Sequence, residues 1–195
     1  MTELATSYVA AIRRVRPNGP YHIGGWSFGG YVAAEMARQL RADELGQLVL
    51  LDTFALDDTS RPVIPEDDLI TWFFAEMMWQ AQGADGVLPV LDLEGVDRET
   101  VFEAILRHGV EAGIVPAQGS PRLIRRLYDI FRANYQATVD YEHAPLDRDI
   151  VLLKSAAPMP ALATQVHSVV GTGYASPTNG WERLVPRSLT VIGVP

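Results

Sequence analysis

The stretch Tyr21-His22-Ile23-Gly24-Gly25-Trp26-Ser27-Phe28-Gly29-Gly30 constrains the fold more than any other part of the chain. It starts as an apolar strand and breaks at paired glycines. From Phe28 the period changes, and Val32, Met36 and Leu40 follow at i, i+4 and i+8 of that new helix. A strand that turns this sharply into an amphipathic helix is a unit of an α/β fold, in which the helix carries the chain back over the sheet. Gly25-Trp26-Ser27-Phe28-Gly29 also fits the pattern G-x-S-x-G. That pattern is either an ordinary Gly-rich turn or a nucleophile elbow, a strand-to-helix turn that lifts a serine hydroxyl above the sheet.

The chemistry of the second reading sets its own requirements. A serine hydroxyl is a poor nucleophile unless a base takes its proton and the backbone holds it in reach. Glycines at Gly25 and Gly29 would leave room for the tight turn, and the start of the following helix favours developing negative charge. The backbone N–H of Phe28 is the expected donor to an oxyanion there. An acid and a histidine must follow in the order Ser, acid, His. Gln47-Leu48-Val49-Leu50-Leu51-Asp52 is an apolar run ending in a carboxylate, which suits a buried central strand with Asp52 at its tip. The competing strand, Asp149 to Leu153, is followed by Lys154-Ser155-Ala156-Ala157-Pro158, with no carboxylate before Glu182. Asp52 is therefore the candidate acid; its plain alternative is a solvated Asp opening a loop.

The rest of the chain reads as one α/β domain, residues 1–195, with a helical insertion at about 60–141. Leu4, Tyr8, Ile12 and Val15 recur on one face of a helix that Thr2 can cap. Strands are expected at 21–25, 47–52, 149–153 and 189–192, and inserted helices near 67–82, 97–112 and 121–140. Trp72, Phe73, Phe74, Met77, Met78 and Trp79 crowd the first inserted helix. Either they pack a buried helix or some of them, Trp72 and Trp79 among them, contact a substrate. Arg122, Arg125, Arg126 and Arg132 form either a solvated face or a docking surface for an acidic partner.

Composition excludes several classes. The 195 residues carry a net charge of −8 with Lys154 the one lysine, which argues against nucleic acid as a partner. The chain has no cysteine, so disulfides and thiolate chemistry are out, and no metal-ligand spacing is evident. No apolar run approaches the roughly 20 residues of a membrane span. The expectation is a soluble, cytoplasmic protein without a membrane role.

The segments GPYHIGGWSFGGYVAAEMARQL and LVLLDTFA, with DIVLLKSA and NGWERLV further on, resemble the thioesterase domains of nonribosomal peptide synthetases and polyketide synthases. The Gly-Trp-Ser-Phe-Gly-Gly form looks more like the peptide synthetase branch. The resemblance implies an α/β-hydrolase-type parallel sheet with a helical lid. It also implies an acyl or peptidyl chain delivered as a thioester on the phosphopantetheine of a carrier domain, with no cofactor bound by the domain itself. Ser27 would take that chain as an ester, and water or an internal nucleophile would release it as an acid, lactone or lactam. In the family the acid follows the strand after the elbow, which agrees with Asp52.

Two family features are not seen in this sequence. Family members have strands before the helix that starts here at Thr2, and a catalytic histidine soon after the last strand, so the domain looks truncated at both ends. Of the four histidines, His22 lies in the nucleophile's own strand, His108 in an inserted helix and His143 in a loop; His167 is the one in the 155–187 region. Each reads as an ordinary surface or core histidine. The chain by itself is therefore expected to be a poor thioesterase that self-associates through an exposed sheet edge. The rival functions are a general serine ester hydrolase and a non-catalytic fragment that binds carrier or acyl chain.

Overall fold

The computed structural model describes residues 1–55, 64–82, 89–91, 93–156, 176–185 and 187–194. The chain clusters into two compact units: one from residues 1–61, 135–158 and 170–195, the other from 62–134 and 159–169.

The first unit is built on a four-stranded sheet in the order β1-β2-β3-β4, with β1 at Tyr21–Trp26, β2 at Leu45–Leu51, β3 at Ile150–Ser155 and β4 at Leu189–Val194. All three pairings are parallel. Parallel neighbours need a crossover, and helix α2, Phe28–Gln39, supplies it between β1 and β2. The apolar run of β2 is central, as its composition requires: Leu48 and Leu50 are wholly buried and pair with Ile150 and Leu152, which face the same core. Ala33, Ala34 and Ala37 of α2 pack onto that face, where short side chains let helix and sheet approach closely. Trp181 completes the same core from a short 3-10 turn, Trp181–Arg183.

On the opposite face the register sets Trp26, Leu51, Leu153 and Ile192 in one row across all four strands. Trp26 is 59% exposed and Ile192 46%. One irregularity occurs at the start of β1, where Tyr21 pairs with Leu45 and His22 with Gln47, so that Gly46 is skipped. From there to the strand tips the pairs stay in step.

Helix α1, Thr2–Val15, packs on α2. The face it buries matches the spacing of Leu4, Tyr8, Ile12 and Val15 only in part: Leu4 and Ile12 pack, partly buried, against the same core as Ala5 and Val9. Ala5 and Val9 are the buried residues, Tyr8 is half exposed and Val15 is out in solvent. Nor does Thr2 cap the helix: Met1 is the N-cap, and the Thr2 carbonyl accepts from the Thr6 hydroxyl inside the first turn.

The second unit contains α3, Glu66–Gln82, α4, Arg98–Glu111, and α5, Pro121–Val139, through Asn134. The predicted helix limits agree with these within a residue. Asp97 caps α4 through its carboxylate, which accepts from the N–H groups of Glu99 and Thr100. Phe74 and Ile124 are fully buried, and rings of Phe73, Phe102, Tyr128 and Phe131 meet edge-on or tilted at centroid distances of 5.6–5.7 Å. No described helix is long and apolar enough to cross a membrane.

Candidate active site

Ser27 is the residue between the end of β1 and the start of α2, with φ 49° and ψ −119°. That is an expensive conformation for a side-chain-bearing residue, on the order of 1–3 kcal/mol, and it persists only where the surroundings over-determine it. The surroundings do so here. The Ser27 N–H donates to the Leu51 carbonyl at 3.0 Å, and the Ser27 carbonyl accepts from the Gly30 N–H at 3.0 Å. A Cβ at Gly25 would lie 2.0 Å from the Gly29 carbonyl oxygen, so only glycine fits.

The second tight glycine is Gly30 rather than Gly29. At Gly29 an added Cβ meets nothing within 4 Å among the described residues, whereas at Gly30 it would lie 1.9 Å from the Thr53 hydroxyl. The motif spacing marks Gly29; packing against the next loop selects Gly30. The signal for it was present in the doubled glycine at 29–30, since a glycine inside a helix calls for a packing reason.

A serine at a helix N-cap ordinarily gives its oxygen to a backbone N–H of the first turn. Ser27 holds that position and makes no such bond. Its side chain is exposed and uncommitted to the helix. The Phe28 N–H begins α2 and, like other first-turn donors, has no intrahelical acceptor. Beside it an open groove of about 410 Å³ runs between α1, β1 and α2, lined by Tyr8, Ile23, Phe28, Val32 and Met36 among others.

Asp52 leaves β2 as Ser27 leaves β1. Trp26 and Leu51 are the last paired residues, so Ser27 and Asp52 stand at the C-terminal tips of adjacent strands, about 4.8 Å apart in strand spacing. Asp52 also has a positive φ, 41°. Its N–H donates to the Leu153 carbonyl at 2.9 Å, and its Oδ1 accepts from the Ser155 N–H at 2.8 Å. No described residue engages Oδ2.

Residues that the sequence did not single out hold the loop after Asp52. The Thr53 carbonyl accepts from the buried Trp181 Nε1–H at 2.8 Å. The Phe54 carbonyl accepts from the Tyr31 hydroxyl. The Ala55 N–H donates to the Asn179 carbonyl at 2.8 Å, and its carbonyl accepts from Arg183. Burial pushes the Tyr31 phenol well above its ordinary range. One helical turn on, burial alone would raise the Glu35 carboxyl, but hydrogen bonds from Tyr141, Gln39 and Arg38, with the charge of Arg38, outweigh it and hold it low.

The described histidines are placed elsewhere. His22 sits near the opposite end of β1 from Ser27, with its ring against Gly46. His143 packs among Tyr31, Tyr141 and Trp181 at ring distances of 5.0–6.0 Å. His108 lies in α4 with its ring 5.6 Å from Phe74 and Nδ1 3.5 Å from Glu111. His167 falls outside the described residues.

In the helical unit, the Trp72 ring meets Phe131 edge-on at 5.4 Å and its Nε1–H donates to Glu76. Trp79 is 40% exposed, unlike its neighbours Met77 and Met78. Of the four arginines on α5, Arg125 pairs with Glu99 and Arg132 lies 4.0 Å from Glu66.

Residues 1–77 match the model of the family described as thioesterase domain. A dimodular nonribosomal peptide synthase of Bacillus subtilis (strain 168) is 45% identical over 122 residues, which cover 62% of this chain and 4% of that protein. A non-reducing polyketide synthase of Cladonia grayi is 46% identical over 54 residues, 27% of this chain and 3% of that protein. The chain thus spans a few per cent of the length of the curated relatives it matches. Among solved structures, a four-domain nonribosomal peptide synthetase bound to AMP and glycine aligns with the whole chain at a TM-score of 0.81 and 27% identity, over 14% of its own length. The NocB thioesterase domain, in covalent complex with a fluorophosphonate nocardicin G analogue, aligns with the whole chain at 0.54 and 25% identity, over 64% of its length.

Proposed function

We propose, from the premise that this chain is a thioesterase domain of the kind found in nonribosomal peptide and polyketide synthases, that it releases an acyl or peptidyl chain from the phosphopantetheine arm of a carrier domain through Ser27. The observation that carries the role of Ser27 is its conformation. It occupies an N-cap at strained φ and ψ, and its hydroxyl caps nothing. A structural turn has no use for that arrangement, because relaxing it would gain a capping bond worth about 1 kcal/mol.

In this reading the Ser27 Oγ attacks the thioester carbonyl. The C–O bond forms first, giving a tetrahedral intermediate; its collapse breaks the C–S bond, and the pantetheine leaves as a thiol with the proton the serine gave up. The Phe28 N–H faces the oxyanion of the tetrahedral intermediate. Asp52, fixed by the Ser155 N–H through Oδ1, keeps Oδ2 to orient a histidine that takes the serine proton, a role the family resemblance implies and none of the described histidines is placed to fill. Water or a nucleophile within the chain then cleaves the ester. The helical unit serves as the lid, with Trp72 and Trp79 as its substrate contacts. Its shape and its exclusion of water decide between hydrolysis and cyclisation. A cytoplasmic location belongs to the same reading. So does self-association, supported by β1 as an outer strand with Trp26 exposed.

The test uses the protein at its full encoded length. Ser27→Ala should lower release of an acyl-pantetheine thioester by on the order of 10⁶-fold and abolish labelling by a fluorophosphonate. Unchanged turnover would reject the assignment. Faster cleavage of the oxygen ester than of the thioester of one acyl group would make the domain a general ester hydrolase instead.

A further inference from the structure

The Thr53 side chain is wholly buried, although it is polar and stands at the end of a strand. Its hydroxyl lies 3.2 Å from the carbonyl of Ser27 and 3.2 Å from that of Leu51. These carbonyls bracket the nucleophile. Leu51 accepts from the Ser27 N–H, and the second carbonyl is that of Ser27 itself. One hydroxyl proton is shared between them, closing a ring through both backbone ends of Ser27. We infer that Thr53 is a positioning residue that holds the strained turn of Ser27 and ties it to the strand tip bearing Asp52. The inference rests on the roles proposed for Ser27 and Asp52.

Three features support it. The direction of the Ser27 carbonyl is what ψ describes, and ψ there is −119°; a donor fixed on that oxygen resists the rotation that would relax the turn. Next, room for the hydroxyl exists only because residue 30 is glycine, with an added Cβ falling 1.9 Å from Thr53 Oγ1. Finally, Thr53 is itself immobile. Its carbonyl accepts from the buried Trp181 indole, and the next two residues are gripped by Tyr31, Asn179 and Arg183. A hydroxyl anchored in this way transmits the position of one strand tip to the other.

Thr53→Val replaces the hydroxyl by a methyl of similar size. It orphans neither carbonyl, since Leu51 keeps the Ser27 N–H and Ser27 keeps the Gly30 N–H. The fold should therefore survive. Thr53→Ser keeps the hydroxyl and removes the methyl. Both are compared with the unmodified protein, at full encoded length, in the kinetics of labelling by one fluorophosphonate. The fraction labelled at completion counts folded sites; kinact and KI report the geometry of those sites.

The expected result is a fall in kinact of about tenfold for Thr53→Val, with KI and the labelled fraction unchanged and Thr53→Ser close to the unmodified protein. A residue that merely supports the fold would lower the labelled fraction and leave kinact alone, which would overturn the inference. An equal fall in both variants would also overturn it, because it would assign the effect to the methyl. Normal kinact in Thr53→Val with labelling abolished in Ser27→Ala removes Thr53 and leaves the nucleophile standing. Labelling that survives Ser27→Ala removes the reading of Ser27 on which the inference depends.

Discussion

Ser27, Asp52 and Asn179 of the sheet-bearing unit all stand at positive φ, while in the helical unit the described residues at positive φ are glycines, Gly95 and Gly113. The sheet unit holds its irregular backbone with directional bonds: carbonyls of 51, 53, 54 and 55 each accept from a residue outside their own segment, Ser27, Trp181, Tyr31 and Arg183 in turn. The helical unit is held by shape. Rings of Phe73, Phe102, Tyr128 and Phe131 interlock, and its ion pairs, Arg98 with Asp67 and Arg125 with Glu99, are well exposed. Exposed pairs contribute at most about 1 kcal/mol each. One unit is built to place atoms, the other to fill volume. A region that places atoms fails through small changes of geometry, and a region that fills volume fails through changes of size.

The contrast breaks most sharply at Asp52. Asp52→Asn preserves shape and removes charge, and it should slow turnover of a pantetheine thioester by on the order of 10⁴-fold. Near-normal turnover, measured under single-turnover conditions, would mean that the strand tip places nothing of consequence.

The next largest effect separates two glycines of one motif. Gly25→Ala drives a methyl into the Gly29 carbonyl and should cost about 3 kcal/mol or more of stability in chemical denaturation. Gly29→Ala meets nothing among the described residues and should be neutral or gain up to about 1 kcal/mol from helix propensity. Similar losses at both positions would show that the turn is tight throughout, as the motif spacing alone implies.

The smallest effect belongs to the helical unit. Burial raises the Glu76 carboxyl, and the bond from Trp72 offsets only part of that. A raised carboxyl means that the folded state holds its proton more tightly than the unfolded chain. The cost of the buried charge is then present above the folded pKa and disappears as pH falls through it. Glu76→Gln keeps an acceptor for the Trp72 indole and should stabilise the protein at neutral pH by less than about 1 kcal/mol. That gain should fade in melting curves taken at progressively lower pH. A loss at neutral pH would show that this unit, too, depends on a directional bond.

These differences also govern what the sequence reveals. Strand, turn and helix at 21–40 are legible because three signals coincide there: glycine punctuation, a change of period, and a serine where the pattern needs one. The carboxylate at the tip of β2 is legible because an apolar run ends on it. Thr53, Tyr31 and Trp181 are not legible, since each acts through a backbone carbonyl and no side-chain pattern records which carbonyls need a donor. Gly30 could be seen but not told from Gly29 without knowing what approaches it. In α1 the pattern is right in part: Leu4 and Ile12 pack on the core, but the most buried residues are Ala5 and Val9, and Tyr8 and Val15 lie toward solvent. The inserted helices are legible as helices, and their ring packing is not, because many partners satisfy the same volume.

The skipped Gly46 tells where this architecture has slack. The extra residue is taken up at the N-terminal end of the β1–β2 pair, and the remaining pairs run in step to the tips that carry Ser27 and Asp52. Inserting one residue upstream of that point would be absorbed as another local bend. Inserting it between Ile23 and Ser27, or between Leu48 and Asp52, would turn each following side chain to the other face and shift one tip relative to the other. The history of length changes in such chains should therefore be lopsided: insertions and deletions tolerated at the strand entrances and in the joints between helices, and almost none over the last few residues before either tip. A survey of natural variants, or a scanning library of single-residue insertions, would read this as a map of permitted and forbidden lengths.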